Sequence, residues 1–320
     1  MAFQTATESR ILERFDYFVA VFFALSAFLL ARGGRTPGYY PRRLARLAPA
    51  YVVCVVVVAL TLPELTNLSV PTFLANLFLV QIYVPDALIA GLTQMWSLCV
   101  EVAFYLVLPA YLALGTRGRW AALAVAVPLS FAWPWLIDSV DWVNMQIWPP
   151  SYISWFAVGL AAAELERAGV RWRWPRWPVA LLFLPIAWLG GVAGPPGLEH
   201  PTPAEFNLRI LLGACFAAVL VVPFALGPRD DAPLASPLMT RLGRWSYSIF
   251  LWHVAVLSFA FPILGVPLFS GYFLPVLAFT AAFSIAVAYV SYEWIEVPGA
   301  RWLRRALATG TPRGQETVGR

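Results

Sequence analysis

The sequence is built from nine apolar runs, each long enough to cross a lipid bilayer, joined by short polar loops. About 20 apolar residues span the hydrocarbon core as a helix, because a helix satisfies its own backbone hydrogen bonds. Of the 320 residues, 60% are hydrophobic and 12% are charged, whereas soluble domains are nearer a quarter charged. These features exclude a soluble or disordered chain and predict an all-α, polytopic membrane bundle. The predicted spans are 16–31, 47–62, 93–115, 120–137, 150–164, 177–194, 207–226, 245–262 and 272–293.

A tenth apolar piece, residues 70–84, is short and carries Asn76 and Gln81. Because a spanning helix would bury both amides in lipid, this piece is expected to form a short interfacial or half-buried helix. No internal repeat and no long linker divides the chain. We therefore expect one membrane domain over residues 1–320, with loosely ordered tails at 1–13 and 309–320.

All 22 basic residues are arginines, and 19 of them lie in alternate loops. The other three, Arg10, Arg14 and Arg209, fall on the opposite side of the predicted membrane. Since basic loops stay in the cytoplasm, this pattern predicts an extracytoplasmic N-terminus, a cytoplasmic C-terminus and residence in the cell membrane. The arginines follow the loops rather than one polar face, so membrane topology explains them better than nucleic-acid binding does.

One carboxylate lies well inside a predicted span. Glu101 is about two turns into the third span, and Trp96 and Ser97 lie close to the same helical face. A charged side chain near mid-membrane costs about 2.5–3.5 kcal/mol on insertion scales, so such residues are rare and usually functional. The functional interpretation is proton exchange by a buried carboxyl group. The alternative is a hydrogen-bonded carboxylate that only fixes helix register.

One histidine also lies inside a predicted span. His253 is expected about two turns from the cytoplasmic end of the eighth span, with Ser246 on its face and Tyr247 nearby. Imidazole can take and return a proton near neutral pH, which acyl transfer to a hydroxyl requires. The alternative is a neutral histidine bonded to a helix carbonyl.

Three further groups have a structural explanation that competes with a functional one. Asp16 opens the first span, where an N-cap is the simpler interpretation. Glu296, near the end of the last span, is expected to pair with the arginine-rich tail. An arginine cluster opens the second span; it could hold the phosphates of a nucleotide-like donor or act as a topogenic signal. Its members are Arg42, Arg43 and Arg46. No metal is expected, since none of the three cysteines has zinc-ligand spacing.

Five strings, in order, resemble motifs of the acyltransferase 3 family of membrane acyltransferases. They resemble that family's "D-x-FF-x-LSGFL", "RR-x-x-R-x-x-P", "WSL-x-x-E-x-x-FYL-x-x-P", "SYS-x-YLWH" and "Y-x-x-x-E-x-P", with Ala27 here in place of a glycine. They lie at residues 16–29, 42–49, 96–109, 246–253 and 292–298.

This resemblance implies a membrane O-acyltransferase that uses cytoplasmic acyl-CoA, often acetyl-CoA. The acceptor would be a hydroxyl of an extracytoplasmic saccharide, lipid-linked saccharide or related metabolite. Carried over, the arginine cluster would hold coenzyme A at a cytoplasmic mouth, and a water-lined passage would join it to the outside. Glu101 and His253 would be the acid/base candidates. Asp16, Trp96, Ser97, Ser246 and Tyr247 would line the passage.

The chain departs from the family in its first helix. In the family, that helix carries an arginine and, eleven residues later, a histidine regarded as the catalytic base. In this chain, the residue eleven positions after Arg10 is Val21, and the residue eleven positions after Arg14 is Leu25. We expect a truncated member that lacks the family's first helix, and a non-catalytic paralogue remains an alternative. A secondary transporter or lipid exporter is a second alternative, which would predict inverted repeats.

Overall fold

The computed structural model describes residues 3–5, 9–34, 37–193, 201–228 and 234–309, and the secondary structure of these residues is helical. Much of the two predicted tails lies outside the described residues. The α-helices are α1 Phe18–Arg32, α2 Tyr39–Thr61, α3 Val70–Leu77, α4 Met95–Ala113, α5 Thr116–Leu136, α6 Ile153–Arg167, α7 Arg176–Ala180, α8 Phe183–Ala193, α9 Pro203–Leu226, α10 Pro237–Leu264, α11 Phe273–Ser291 and α12 Val297–Thr309.

Helical structure occupies each of the nine predicted spans, so the helical membrane bundle is confirmed. Within the described residues, seven helical segments are long and apolar enough to cross a membrane. The helices α5 and α6 are not among these seven, so the count of nine spans rests on the sequence pattern. The piece at 70–84 forms the short helix α3 and a 3₁₀ turn, Gln81–Tyr83, with both of its amide side chains buried.

The bundle has two halves that meet along α4. One core contains buried side chains of α1, α4, α5, α6 and α9. The second contains buried side chains of α2, α4 and α10, with α11 packed on α10 and α12 on α2. Half-buried Leu30, Leu79 and Phe104 pack against both cores. We call the boundary between the two cores the seam.

Small residues allow the helices of the first half to approach closely. Ala20, Ala24, Ala27 and Ala31 of α1 have no exposed surface, and α1 packs most extensively on α6. At Gly159 of α6 an added Cβ would lie 1.8 Å from the carbonyl oxygen of Ala24. Membrane helices associate through such small-residue contacts, because lipid provides no hydrophobic drive between them.

Ion pairs identify the two ends of the bundle. At one end, Arg32 at the end of α1 pairs with Glu166 at 3.3 Å, and Arg119 near the start of α5 pairs with buried Glu164 at 3.0 Å. We call this the arginine end. At the other end, called the distal end, Arg209 pairs with Asp16. Loops predicted to share a side of the membrane thus lie together.

Candidate active site

Glu101 lies at the seam, within the second turn of α4, and its side chain is 2% exposed. Its Oε1 accepts hydrogen bonds from Ser26 Oγ of α1 and from the Tyr105 hydroxyl, both at 2.6 Å. Tyr105 is one turn further along α4 and so lies on the same face. Hydrogen bonds to an ionised acceptor are short and strong, so these two donors fix the carboxylate's position between the halves.

The arginine cluster opens α2 at the arginine end. Arg46 is exposed and lies within electrostatic range of Glu101 and of Glu296, and Arg43 lies within range of Glu101. The Arg43 guanidinium sits over the Tyr39 ring, 5.9 Å from its centroid, while Arg42 donates to the Pro37 carbonyl. The cluster and the buried carboxylate of α4 therefore belong to one polar region.

A second buried carboxylate completes this region. Glu296 ends the π-helical turn Tyr292–Glu296 and is 7% exposed. Its Oε2 accepts a hydrogen bond from Ser248 Oγ of α10 at 2.8 Å, and Ser248 Oγ lies 3.4 Å from Ser291 Oγ. The sequence prediction directed Glu296 toward the arginine-rich tail, but its side chain points into the bundle. Ser248 is not among the candidates predicted above, although it belongs to the motif at residues 246–253.

His253 lies far along the helix α10, which begins before the predicted span. Because α10 begins at Pro237 rather than near Trp245, His253 is 16 residues into the helix, about 24 Å along its axis. The side chain is half-buried, and its Nδ1 lies 2.8 Å from the Phe250 carbonyl. Since a carbonyl only accepts, Nδ1 must carry the proton, which leaves Nε2 as an acceptor in the neutral ring.

Trp96, Ser97 and Tyr247 all face the interior but have separate partners. The Trp96 ring lies 4.9 Å from the Tyr152 ring and 6.5 Å from the Phe23 ring, measured between centroids. Ser97 Oγ donates to the Gln94 carbonyl at 2.9 Å, a local bond at the start of α4. The Tyr247 hydroxyl donates to the Leu47 carbonyl at 2.9 Å and ties α10 to α2.

The structure places Ser246 and Asp16 away from Glu101. Ser246 is exposed on α10 and donates to the Gly243 carbonyl at 2.9 Å. Asp16 lies within the 3₁₀ helix Leu12–Tyr17 and pairs with Arg209 of α9 at the distal end. The N-cap interpretation of Asp16 is wrong, because Tyr17 occupies the N-cap position of α1 and the Asp16 side chain pairs with Arg209 instead.

The predicted water-lined passage is closed at Glu101, which has almost no exposed surface, whereas Ser26 and His253 remain half-buried. A cavity of about 530 Å³ lies elsewhere at the arginine end, lined by Glu166, Arg171, Trp172 and residues 225–228. Side-chain movement is therefore needed before a ligand reaches Glu101. In the described part of the chain, no group of three or more His, Cys, Asp or Glu side chains could hold a metal ion.

Comparison with known proteins adds the family context of this site. The profile of the acyltransferase domain family matches residues 4–292. Acyltransferase MdmB of Streptomyces mycarofaciens is 29% identical over 279 residues, covering 77% of this chain and 69% of the relative. Nodulation protein 10 of Rhizobium leguminosarum bv. viciae is 24% identical over 279 residues, covering 75% and 71% respectively. No solved structure matches the chain.

Proposed function

The chain belongs to the acyltransferase 3 family, and we propose that it is a membrane O-acyltransferase. Its acyl donor is an acyl-CoA, with acetyl-CoA as the preferred donor. The acceptor is a hydroxyl of an extracytoplasmic glycan, glycolipid or related metabolite. The observation that carries this proposal is the polar region in which Glu101, buried and fixed by two hydroxyl donors, lies within electrostatic range of Arg43 and Arg46.

We assign the donor to the arginine end. Guanidinium groups bind phosphate oxygens through paired N–H donors, and Arg46 is exposed there. The positive-inside pattern supports a cytoplasmic position for this end and an extracytoplasmic position for the distal end. Acyl-CoA would then enter from the cytoplasm, and the acceptor would arrive from outside.

In the reaction, the acceptor oxygen attacks the thioester carbonyl, a C–O bond forms, and the C–S bond breaks. The acceptor proton leaves with a general base and passes to the coenzyme A thiolate. We assign the base role to His253, whose Nε2 is left as an acceptor by the Nδ1 bond to the Phe250 carbonyl. Glu101 accepts the hydrogen bonds from Ser26 and Tyr105 on one oxygen, and we assign it an electrostatic role at the donor side.

The test is acetyl transfer from labelled acetyl-CoA by the purified chain in liposomes, with a panel of hydroxylated saccharides as acceptors. His253→Gln should lower kcat by about 10²–10⁴-fold, the usual contribution of a general base, and Glu101→Gln should lower it by less. Arg46→Ala should raise the KM for acetyl-CoA about tenfold through loss of a charge-assisted bond. The exposed Arg244 of α10 provides the matched control, and Arg244→Ala should leave KM unchanged.

Two outcomes would contradict the assignment. Wild-type activity in His253→Gln would remove that residue from the mechanism. Saturable binding of acetyl-CoA without transfer to any acceptor would favour the non-catalytic alternative, which the residues at positions 21 and 25 first suggested.

A further inference from the structure

Two phenylalanine rings bridge the halves of the bundle at the seam. Phe22 of α1 stacks on Phe250 of α10, with ring centroids 5.9 Å apart and ring planes within 7° of parallel. Both side chains are half-buried. Because α1 packs mainly on α6 and α9, whereas α10 packs mainly on α11, this ring stack joins helices that belong to different cores.

The stack lies between the two acid/base candidates along the bundle axis. Phe22 is one turn of α1 from Ser26, the hydroxyl bonded to Glu101, and lies about 6 Å nearer the distal end. Phe250 is three residues before His253, about 4.5 Å nearer the arginine end. Gln94, just before α4, donates to the Leu251 carbonyl at 2.9 Å and confirms that this part of α10 lies level with the start of α4.

This order determines which part of the donor meets the stack. If the nucleotide phosphates of acyl-CoA stay at the arginine end, the acyl group leads the molecule along the seam. To bring the thioester carbonyl to His253, the acyl group must pass Phe22 and Phe250 first. The two stacked rings must rotate to let an acyl group pass between them. The energetic cost of this rotation depends on the width of the acyl group.

We propose that Phe22 and Phe250 select the acyl donor by cross-section, admitting straight acyl groups and excluding branched ones. This inference rests on the proposed function, from which it takes the donor side and the role of His253. It assigns a specificity-determining role to two residues that contact neither Glu101 nor the arginine cluster in the contacts described above.

The experiment compares butyryl-CoA with isobutyryl-CoA, which have the same atoms and differ only in branching. For wild-type protein, kcat/KM should be at least tenfold lower for isobutyryl-CoA, in the range that one misplaced methyl group causes in a hydrophobic site. In Phe22→Ala and in Phe250→Ala, the kcat/KM values for the two donors should differ by less than threefold. Phe283 of α11 is the matched control, because its ring stacks on Phe279 at 4.2 Å outside the seam, and Phe283→Ala should keep the wild-type ratio.

A binding readout separates this inference from the proposed function. Non-hydrolysable thioether analogues of butyryl-CoA and isobutyryl-CoA should compete with labelled acetyl-CoA for binding. In each variant, the ratio of their affinities should match the ratio of the kcat/KM values, although no turnover occurs. If Ala variants fail to fold, Phe22→Leu and Phe250→Leu keep most of the volume and should still narrow the ratio. Equal kcat/KM values for the two donors in wild-type protein would overturn the proposed selection by Phe22 and Phe250. The wild-type ratio in the phenylalanine variants would overturn it as well. In both cases the proposed acyltransferase function would stand. Absence of acyl-CoA binding would overturn both.

Discussion

The contact between α1 and α6 allows a direct test of how packing supports the polar region. Substituting Gly159→Ala would place a methyl carbon 1.8 Å from the Ala24 carbonyl oxygen, 2.7 Å from its carbonyl carbon and 2.9 Å from the Phe28 nitrogen. All three neighbours are backbone atoms of α1, so no side chain can rotate away. The whole helix must move.

The size of this movement follows from contact distances. Carbon and carbonyl oxygen approach to about 3.3 Å at closest, so the helices must separate by about 1.5 Å at this point. Ser26 is two residues beyond Ala24, and its 2.6 Å bond to Glu101 would lengthen past the hydrogen-bond limit if the shift follows the bond. Overpacking costs about 1–3 kcal/mol, and the lost bond to a charged group costs about 1.5–3 kcal/mol.

The expected result is a large loss of stability for Gly159→Ala, measured by denaturant unfolding in detergent micelles, accompanied by lower acyl-transfer activity. Gly243→Ala is the matched control, because an added Cβ there meets nothing within 4 Å and the residue lies inside a helix. That variant should be neutral or slightly stabilised. Equal unfolding midpoints for the two variants would refute the reasoning.

Two smaller changes test the donors to the buried carboxylates, with unfolding in micelles as the measurement. Tyr105→Phe removes one hydroxyl donor of Glu101 and keeps the ring, so it should lower the free energy of unfolding by about 1.5–3 kcal/mol. Its control, Tyr40→Phe, loses an exposed hydrogen bond and should lower the free energy of unfolding by under about 1 kcal/mol. Ser248→Ala leaves Glu296 without its hydroxyl donor and should cost a similar 1.5–3 kcal/mol, against under about 0.5 kcal/mol for exposed Ser246→Ala. Equal costs within either pair would contradict the corresponding assignment.

Apolar length and loop charge predicted where helices form, but helix ends depended on local signals outside the apolar runs. The helix α10 begins at Pro237, because Ser236 caps it by accepting from the Met239 nitrogen and proline occupies its first position. This serine–proline pair precedes the apolar run, so α10 extends beyond the predicted span at its first end.

One predicted span is interrupted for a similar local reason. The apolar run predicts one helix over residues 177–194, but the structure has α7 Arg176–Ala180 and α8 Phe183–Ala193. Pro185 lacks the N–H that would bond to the Leu181 carbonyl, and its ring crowds that same carbonyl. The helix is therefore interrupted just before the proline, as the sequence alone could have indicated.

Long-range polar pairs could not be predicted in the same way. The partners of Asp16 and Glu296 lie 193 and 48 positions away in the chain, and helical periodicity relates only residues a few positions apart. The π-helical turn also changes the face on which Glu296 lies. The local sequence suggests an N-cap for Asp16 and pairing with the arginine-rich tail for Glu296. Tertiary packing instead pairs Asp16 with Arg209 and Glu296 with Ser248.

Glu101 shows why the predictable and unpredictable parts of the site depend on each other. Its bond from Tyr105 spans one helical turn and could be expected from sequence, but its bond from Ser26 joins residues 75 positions apart. That second donor is in place only because α1 approaches α6 at a glycine and α4 at the seam. A mid-membrane carboxylate without donors is costly, so the small residues of α1 and α6, which have no chemistry of their own, help determine whether this carboxylate can be buried.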